Sequence, residues 1–477
     1  VASALLMAVA LGPCAPASGQ TPGTTAGTEP VTSWVVDPQA GLVPALVPLT
    51  VPPLTAPPPT ITSVLPRIVN LPGPPPGITP GPPFEFHPTA GLSQEYTDNF
   101  DRTATGRRDD FRTSASAGGL LRFTLPTARG FASYTLTGAY DTANQELSAF
   151  QSLDAQARWE ATPLLMLTVT DGLTRSDQPQ EADRLGLRQE RRNFTSNLFS
   201  LTSDYRLGTI DTRQYYRLST FVDEDAQRTT MSHTLGASAA TTVAETNRVT
   251  LGYEYLNSHT TDAETIAGHR VTGSVARQLN ALPSAGVSAS YSLRTLTSSG
   301  SDEDVQEWTA ALFGGYVLPE RWSVTGNVGL SVLSGRGTRS IVSGSIGLLY
   351  RLARGTFGLL LERGFSETFA EGENFGIVET QGVTATLSYA VTPLVTCTGQ
   401  VFYRQNEPTR FSGDSGGEKE NVWGGTAAVA YQVRPWLVIG IDYGYSNADF
   451  SGTPAGGGRS RGDVIENRVR ISLSAVF

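Results

Sequence analysis

Cysteine is almost missing from this chain of 477 residues: Cys14 and Cys397 are the whole supply. Two such distant residues cannot form a disulfide framework or a thiolate metal cluster. An apolar setting makes Cys397 a small buried hydrophobe rather than a reactive thiol. Histidine is scarce too, and His87, His233, His259 and His269 show no ligand spacing. Charged residues make up only 17%, with a net charge of −9 and no basic run, which excludes a nucleic-acid partner. No stretch offers 18 consecutive apolar residues, so helical membrane spans are excluded as well. There is no Gly-rich phosphate loop, no His-Glu-x-x-His, no Gly-x-Ser-x-Gly and no setting for a cysteine nucleophile. The expectation is a protein that is not an enzyme, with no cofactor and no metal.

What is present divides the chain in two. Ala2 to Leu11 is an apolar run, and Ala17-Ser18-Gly19 supplies small residues before Gln20, so residues 1–19 are expected to be a signal peptide. Leu11-Gly12-Pro13-Cys14 matches a lipoprotein site poorly, because proline precedes the cysteine. Pro22 to Pro88 then holds 19 of the 30 prolines, including Pro57-Pro58-Pro59 and Pro74-Pro75-Pro76. Such a composition favours extended polyproline II over a core. Residues 20–85 are therefore expected to be a disordered periplasmic linker, and 86–477 the folded domain.

In that domain the nine remaining prolines (126, 163, 179, 283, 319, 393, 408, 435 and 454) fall between segments of alternating character. Proline removes a ladder donor, so a closed sheet confines it to connections. The segments themselves have period two. Trp322, Val324, Gly326, Val328, Leu330 and Val332 oppose Ser323, Thr325, Asn327, Gly329 and Ser331. Leu437, Ile439, Ile441, Tyr443 and Tyr445 oppose Val438, Gly440, Asp442 and Gly444. Alternation alone also fits a soluble sandwich. The connections decide between them: nine short ones, such as Thr162-Pro163 and Arg434-Pro435, alternate with ten that are generally longer and more polar, including 98–109, 174–190, 297–304, 366–374 and 446–465. That asymmetry, with Trp159, Trp308, Trp322, Trp423 and Trp436 near segment ends, predicts an all-β transmembrane antiparallel β-barrel of about 20 strands, between 18 and 22, with both termini periplasmic.

The C-terminus ends in Val469, Ile471, Leu473, Ala475 and Phe477, spaced by Arg470, Ser472, Ser474 and Val476. This resembles the C-terminal signature by which outer-membrane barrels engage the barrel-assembly machinery. A second resemblance covers about 30 residues. His87-Pro88 leads to Gln94-Glu95-Tyr96-Thr97-Asp98-Asn99, then to Arg107-Arg108-Asp109-Asp110-Phe111 and the run from Thr113 to Gly119. The stretch resembles the outer-membrane β-barrel porins whose first hairpin carries a Tyr-Thr-Asp-Asn motif, a family often associated with exopolysaccharide loci. Asp98, Asn99, Asp109 and Asp110 serve either hairpin-turn geometry or a cation such as Ca²⁺.

Period two also assigns an inward face. It carries Arg122, Arg158, Arg217, Arg294, Arg404, Arg468 and Arg470 against Asp154, Glu254, Glu362 and Asp442. Either the arginine excess draws anions into the pore, or these arginines pair with acidic neighbours and brace the wall. The expected function is an outer-membrane channel for export or diffusion of a polar substrate, an anionic exopolysaccharide included. The alternatives are a solute-uptake porin, recognisable by an inward-folded constriction loop at 174–190 or 446–465, or an adhesive surface barrel with a plugged lumen. Expected partners are outer-membrane lipid and lipopolysaccharide, the barrel-assembly machinery and periplasmic export components.

Overall fold

The computed structural model describes residues 83–178, 191–244, 246–261, 265–279, 284–298, 301–317, 321–335, 337–367, 377–409, 419–451 and 463–477. The expected signal peptide and all but the last residues of the expected linker lie outside them. Twenty strands follow one another: β1 (Phe84–Thr97), β2 (Asp110–Thr124), β3 (Ala128–Asp141), β4 (Glu146–Thr162), β5 (Leu165–Ser176), β6 (Phe194–Leu207) and β7 (Ile210–Asp223). Next come β8 (Arg228–Val243), β9 (Asn247–Thr260), β10 (Thr265–Gln278), β11 (Ser284–Ser298), β12 (Ser301–Val317), β13 (Trp322–Ser334) and β14 (Thr338–Leu352). The series ends with β15 (Gly355–Glu367), β16 (Ile377–Thr392), β17 (Val395–Pro408), β18 (Lys419–Arg434), β19 (Leu437–Ser451) and β20 (Val464–Val476). Each pairs antiparallel with its chain neighbours, and β1 pairs with β20 from Thr97↔Arg468 to Thr89↔Val476, closing the sheet. The protein is a transmembrane antiparallel β-barrel of 20 strands.

Closure leaves two faces, and directly opposed residues share one of them. The outer face carries Leu92, Leu136, Leu251, Val287, Leu312, Val328, Ile346, Val401 and Ile441, all exposed in the isolated chain. This is the arrangement a lipid-contacting wall requires. The inner face is built mainly of Ser, Thr and Gly, with hydroxyl pairs between strands: Ser232 with Ser258 at 2.6 Å, and Thr309 with Ser331 at 2.8 Å. Aromatic rings gather at both ends of the outer face. At the turn end Trp322 leans on Tyr350 (4.2 Å between centroids) and Trp436 stacks on Phe477 (5.7 Å). Towards the loop end Tyr291 meets Trp308 (4.2 Å) and Trp423 meets Tyr445 (4.9 Å). Amphipathic rings favour the two lipid–water boundaries.

The C-terminal residue is tied in by backbone: Phe477 N–H donates to the Pro88 carbonyl at 3.0 Å. Val469, Ile471 and Leu473 are exposed on the outer face as the alternation requires, and Ala475 shares their register parity. Among the prolines, Pro408 is the last residue of a strand rather than part of a connection, and Pro88 sits within β1, just past the end of its pairing with β20. Several connections are shorter than the polarity pattern suggests. The polar stretch 297–304 is mostly strand, with β11 and β12 paired up to Ser298↔Ser301, and β19 runs on to Ser451. The reason is physical: above the apolar band the outer face meets water, so Asp302 and Asp304 continue a strand without continuing its hydrophobic period.

Rings also lock neighbouring strands where one of them offers glycine. A Cβ added at Gly236 of β8 would lie 2.2–2.5 Å from Tyr215 ring atoms of β7. The ring occupies that space and its hydroxyl donates to Glu254 of β9. Gly236→Val is therefore expected to push Tyr215 off its rotamer and cost about 1–3 kcal/mol, the usual range for overpacking. Urea unfolding of the protein refolded in lipid vesicles checks this, and adding Tyr215→Ala is expected to recover most of the loss.

Candidate functional site: the constricted loop end of the lumen

All eleven charged residues picked out for the inward face lie on one face by register. Arg470 opposes Asp442 of β19 and Glu95 of β1, and Glu95 opposes Arg112 of β2. Arg122 opposes Glu85, and Arg158 opposes Thr168. Most are not free to act as isolated charges. Arg470 Nε meets Asp442 at 2.8 Å and Arg404 meets Glu362 at 3.1 Å. Arg294 meets Glu307 at 3.2 Å, and Arg468 lies 4.0 Å from Glu95. Arg217 sits over the Tyr215 ring at 5.7 Å, and Tyr215 binds Glu254. Of the two readings of these arginines, the geometry realises the braced wall for these pairs.

The residues that shape the lumen are others. The β1–β2 connection, 98–109, turns inward at the loop end. Asp98 fixes its base: its carboxylate accepts from Asn467 N–H at 2.7 Å and from the Asn467 side-chain amide at 2.6 Å. Asn99 is fully buried, donates to the Thr103 and Ile465 carbonyls at 2.9 and 2.8 Å, and accepts from Thr103 N–H at 3.0 Å. Asp110 accepts from Thr142 and from Ala143 N–H. These Asp and Asn side chains hold turn backbone, each at its own place, and no group of three potential metal ligands exists among the described residues.

Beyond that base the loop delivers Phe100 and Arg102, both buried, into the mouth. Arg102 Nε meets Glu466 of the inner wall at 3.2 Å, and its guanidinium reaches Ser446 at 3.5 Å. Phe100 lies under three guanidinium groups, those of Arg191 (4.5 Å), Arg108 (5.5 Å) and Arg112 (5.9 Å). Arg112 in turn bridges two carboxylates, Asp141 and Asp177, each at 2.5 Å. Arg191 reaches Asp177 at 3.4 Å and donates to the Phe100 carbonyl at 3.0 Å. One alternating network thus joins β20, the β1–β2 connection, β2, β3 and the β5–β6 connection.

The opposite side of the mouth is closed by apolar contact. Pairing between β14 and β15 stops at Gly344↔Arg363, although both strands continue. The freed end of the β15–β16 hairpin leans over the inner wall. Its Phe365 and Ile377 join one buried cluster with Ile266, Leu296, Val305, Leu333 and Ile341, inward residues of β10 to β14. Arg339 of the inner wall holds the same hairpin through Glu379 at 2.6 Å. The expected constriction segment 174–190 contributes Asp177 at its described edge, while the other expected segment, 446–465, supplies wall residues such as Ser446 and Val464. Sequence reasoning missed Arg102, Phe100, Arg112, Glu466 and Phe365. The one available sign was an apolar residue, Phe365 or Ile377, standing above the band where polar residues are the rule.

Asp177 supplies a pH test. Burial raises its pKa, but the hydrogen bonds and charges of Arg112 and Arg191 outweigh this and hold it below the ordinary aspartate value of 3.8. A depressed value means the carboxylate stabilises the narrowed mouth fully above the unfolded value and loses this as pH falls through the folded one. Channel conductance is therefore expected to stay constant from neutral pH down to about 4 and to rise only below that, with Asp177→Asn open at neutral pH. Single-channel recording across pH checks both.

No family model matches the chain, and no curated protein matches it. Among solved structures it is similar to a ferric enterobactin receptor mutant of Pseudomonas aeruginosa (10% identity, 82% of this chain and 80% of that chain, TM-score 0.46). It is also similar to the siderophore receptor PirA of Pseudomonas aeruginosa (11%, 84% and 81%, 0.45) and to the FrpB iron transporter of Neisseria meningitidis (12%, 82% and 82%, 0.44).

Proposed function

We propose that this protein is an outer-membrane channel for the uptake of small polar solutes. The observation that carries this reading is the constriction of the loop end by the β1–β2 connection and the β15–β16 hairpin, above a wall of hydroxyls and glycine. Long connections mark the cell exterior and short turns the periplasm in such barrels. Phe84 and Phe477 are both at the turn end, so on this reading the two described ends of the barrel face the periplasm. A narrowed mouth admits small molecules and disfavours passage of a polymer chain, so the polysaccharide-export reading is left resting on the family resemblance alone. Because many wall arginines are already paired, selectivity for anions is expected to be weak. The outer surface would meet lipid and lipopolysaccharide, and the C-terminal strand would engage the assembly machinery.

Replacing residues 99–105 by a Gly-Ser linker removes Phe100 and Arg102 from the mouth. Conductance in planar bilayers is expected to increase several-fold, with faster swelling of vesicles in neutral sugars. A strain lacking the protein is expected to lose solute permeability and keep its surface polysaccharide. Lost polysaccharide with unchanged permeability would overturn the uptake reading. Absence of conductance in both the wild type and the linker variant would leave the barrel as a plugged surface protein.

A further inference from the structure

The lipid-facing surface is not uniform. At mid-strand the outer positions of β13 are Val324, Gly326, Val328 and Leu330, and those of β19 are Ile439, Ile441 and Tyr443. Over β4 to β8 the pattern changes. Asp171, the seventh of the twelve residues of β5, stands on the outer face between Ala155 of β4 and Phe199 of β6. Ser203 of β6, Gln214 of β7 and Ala237 of β8 form another outward row, and Tyr205, Thr212 and Ala239 the next. Ala157 lies beside Val169 on the same face. Asp171 accepts from the Asn197 side-chain amide at 2.9 Å through one oxygen, and its other oxygen accepts no hydrogen bond among the described residues. Gln214 is exposed.

Hydrocarbon cannot satisfy a carboxylate or a primary amide, and an ionisable group at this depth calls for a polar partner. We infer that a second copy of this chain covers the β4–β8 sector. Three features favour a copy over another occupant. An isologous interface needs both halves of each match on one surface, so that i meets j and j meets i. Asp171 offers an acceptor and Gln214 a donor, two strands apart. The alanines of β4 and β8 let two walls approach closely, as small residues do in membrane interfaces. Five strands spaced at about 4.8 Å, over an apolar band about 25 Å tall, give roughly 600 Å² per copy. The total of about 1,200 Å² reaches the lower edge of stable protein interfaces.

The test places a photo-cross-linking residue at Ala157 or Ala237 in the full chain, in native membranes, with Val328 and Ile441 as controls on other sectors. A covalent species of twice the chain mass is expected from the first two positions and not from the controls. In mild detergent, native mass spectrometry is expected to show two copies for the wild type and one for the Ala157→Trp, Ala237→Trp double variant. Heat-modifiable gel migration reports that the variant barrel is still folded. Adducts with lipopolysaccharide or a different protein, equal self-adducts from Val328, or a wild type that stays single-copy without self-adducts would each overturn the inference.

Discussion

Every peptide group that enters hydrocarbon must find its hydrogen-bond partner within the protein, because the solvent offers none. A sheet meets that demand only if it has no edge. The β1–β20 pairing is therefore the contact on which the rest depends: it joins residues at the two ends of the described chain and converts an open ribbon into a wall. Once the wall is closed, side-chain character follows from position. One face is left to lipid and the other to a confined aqueous interior, and the period of two records the difference. Phe477, hydrogen-bonded to Pro88 and stacked on Trp436, finishes the seam at the turn end, where β1–β20 pairing has run out.

The inner face faces a second constraint. A barrel this wide is not filled by its own wall residues, so occlusion has to come from connections. Charges are placed where they can be shared across strands. Arg112 serves two carboxylates, and Glu466 receives Arg102 with Arg191 4.0 Å away. Removing one member of such a network leaves another charge buried and uncompensated, which is costlier than the net worth of the pair. The narrowed mouth is therefore held cooperatively on its polar side. On the other side, Phe365 and Ile377 achieve closure by leaving water, a non-directional contact that tolerates small displacements of the hairpin.

The barrel was legible because its cause repeats in every strand. Alternation, proline placement and the rhythm of short and long connections each reflect the same two solvents, and together they yield strand number and pairing order. The first hairpin motif was legible in its local role, with Asp98 and Asn99 holding backbone. The constriction was not. Arg102 meets Glu466 across 364 positions of chain, and nothing in either neighbourhood announces the other. Phe365 continues the outward period of Phe357, Leu359 and Leu361, and it turns inward only because β15 has parted from β14 below it. Strand ends were placed too early at 297–304 for a related reason: hydrophobic period marks the height of the apolar band, not the length of the strand.

That distinction has a consequence for how the wall should be read. A position that breaks the period above the band, as Asp302 and Asp304 do, has simply emerged into water. One that breaks it at mid-height, as Asp171 does, has no water to emerge into, and its neighbours Ala155 and Ala157 show that bulk has been withdrawn as well. The same residue type thus carries opposite implications at two heights on one surface. Depth decides which: at the rim a carboxylate needs no explanation, whereas in the middle of the lipid face it implies a protein surface opposite.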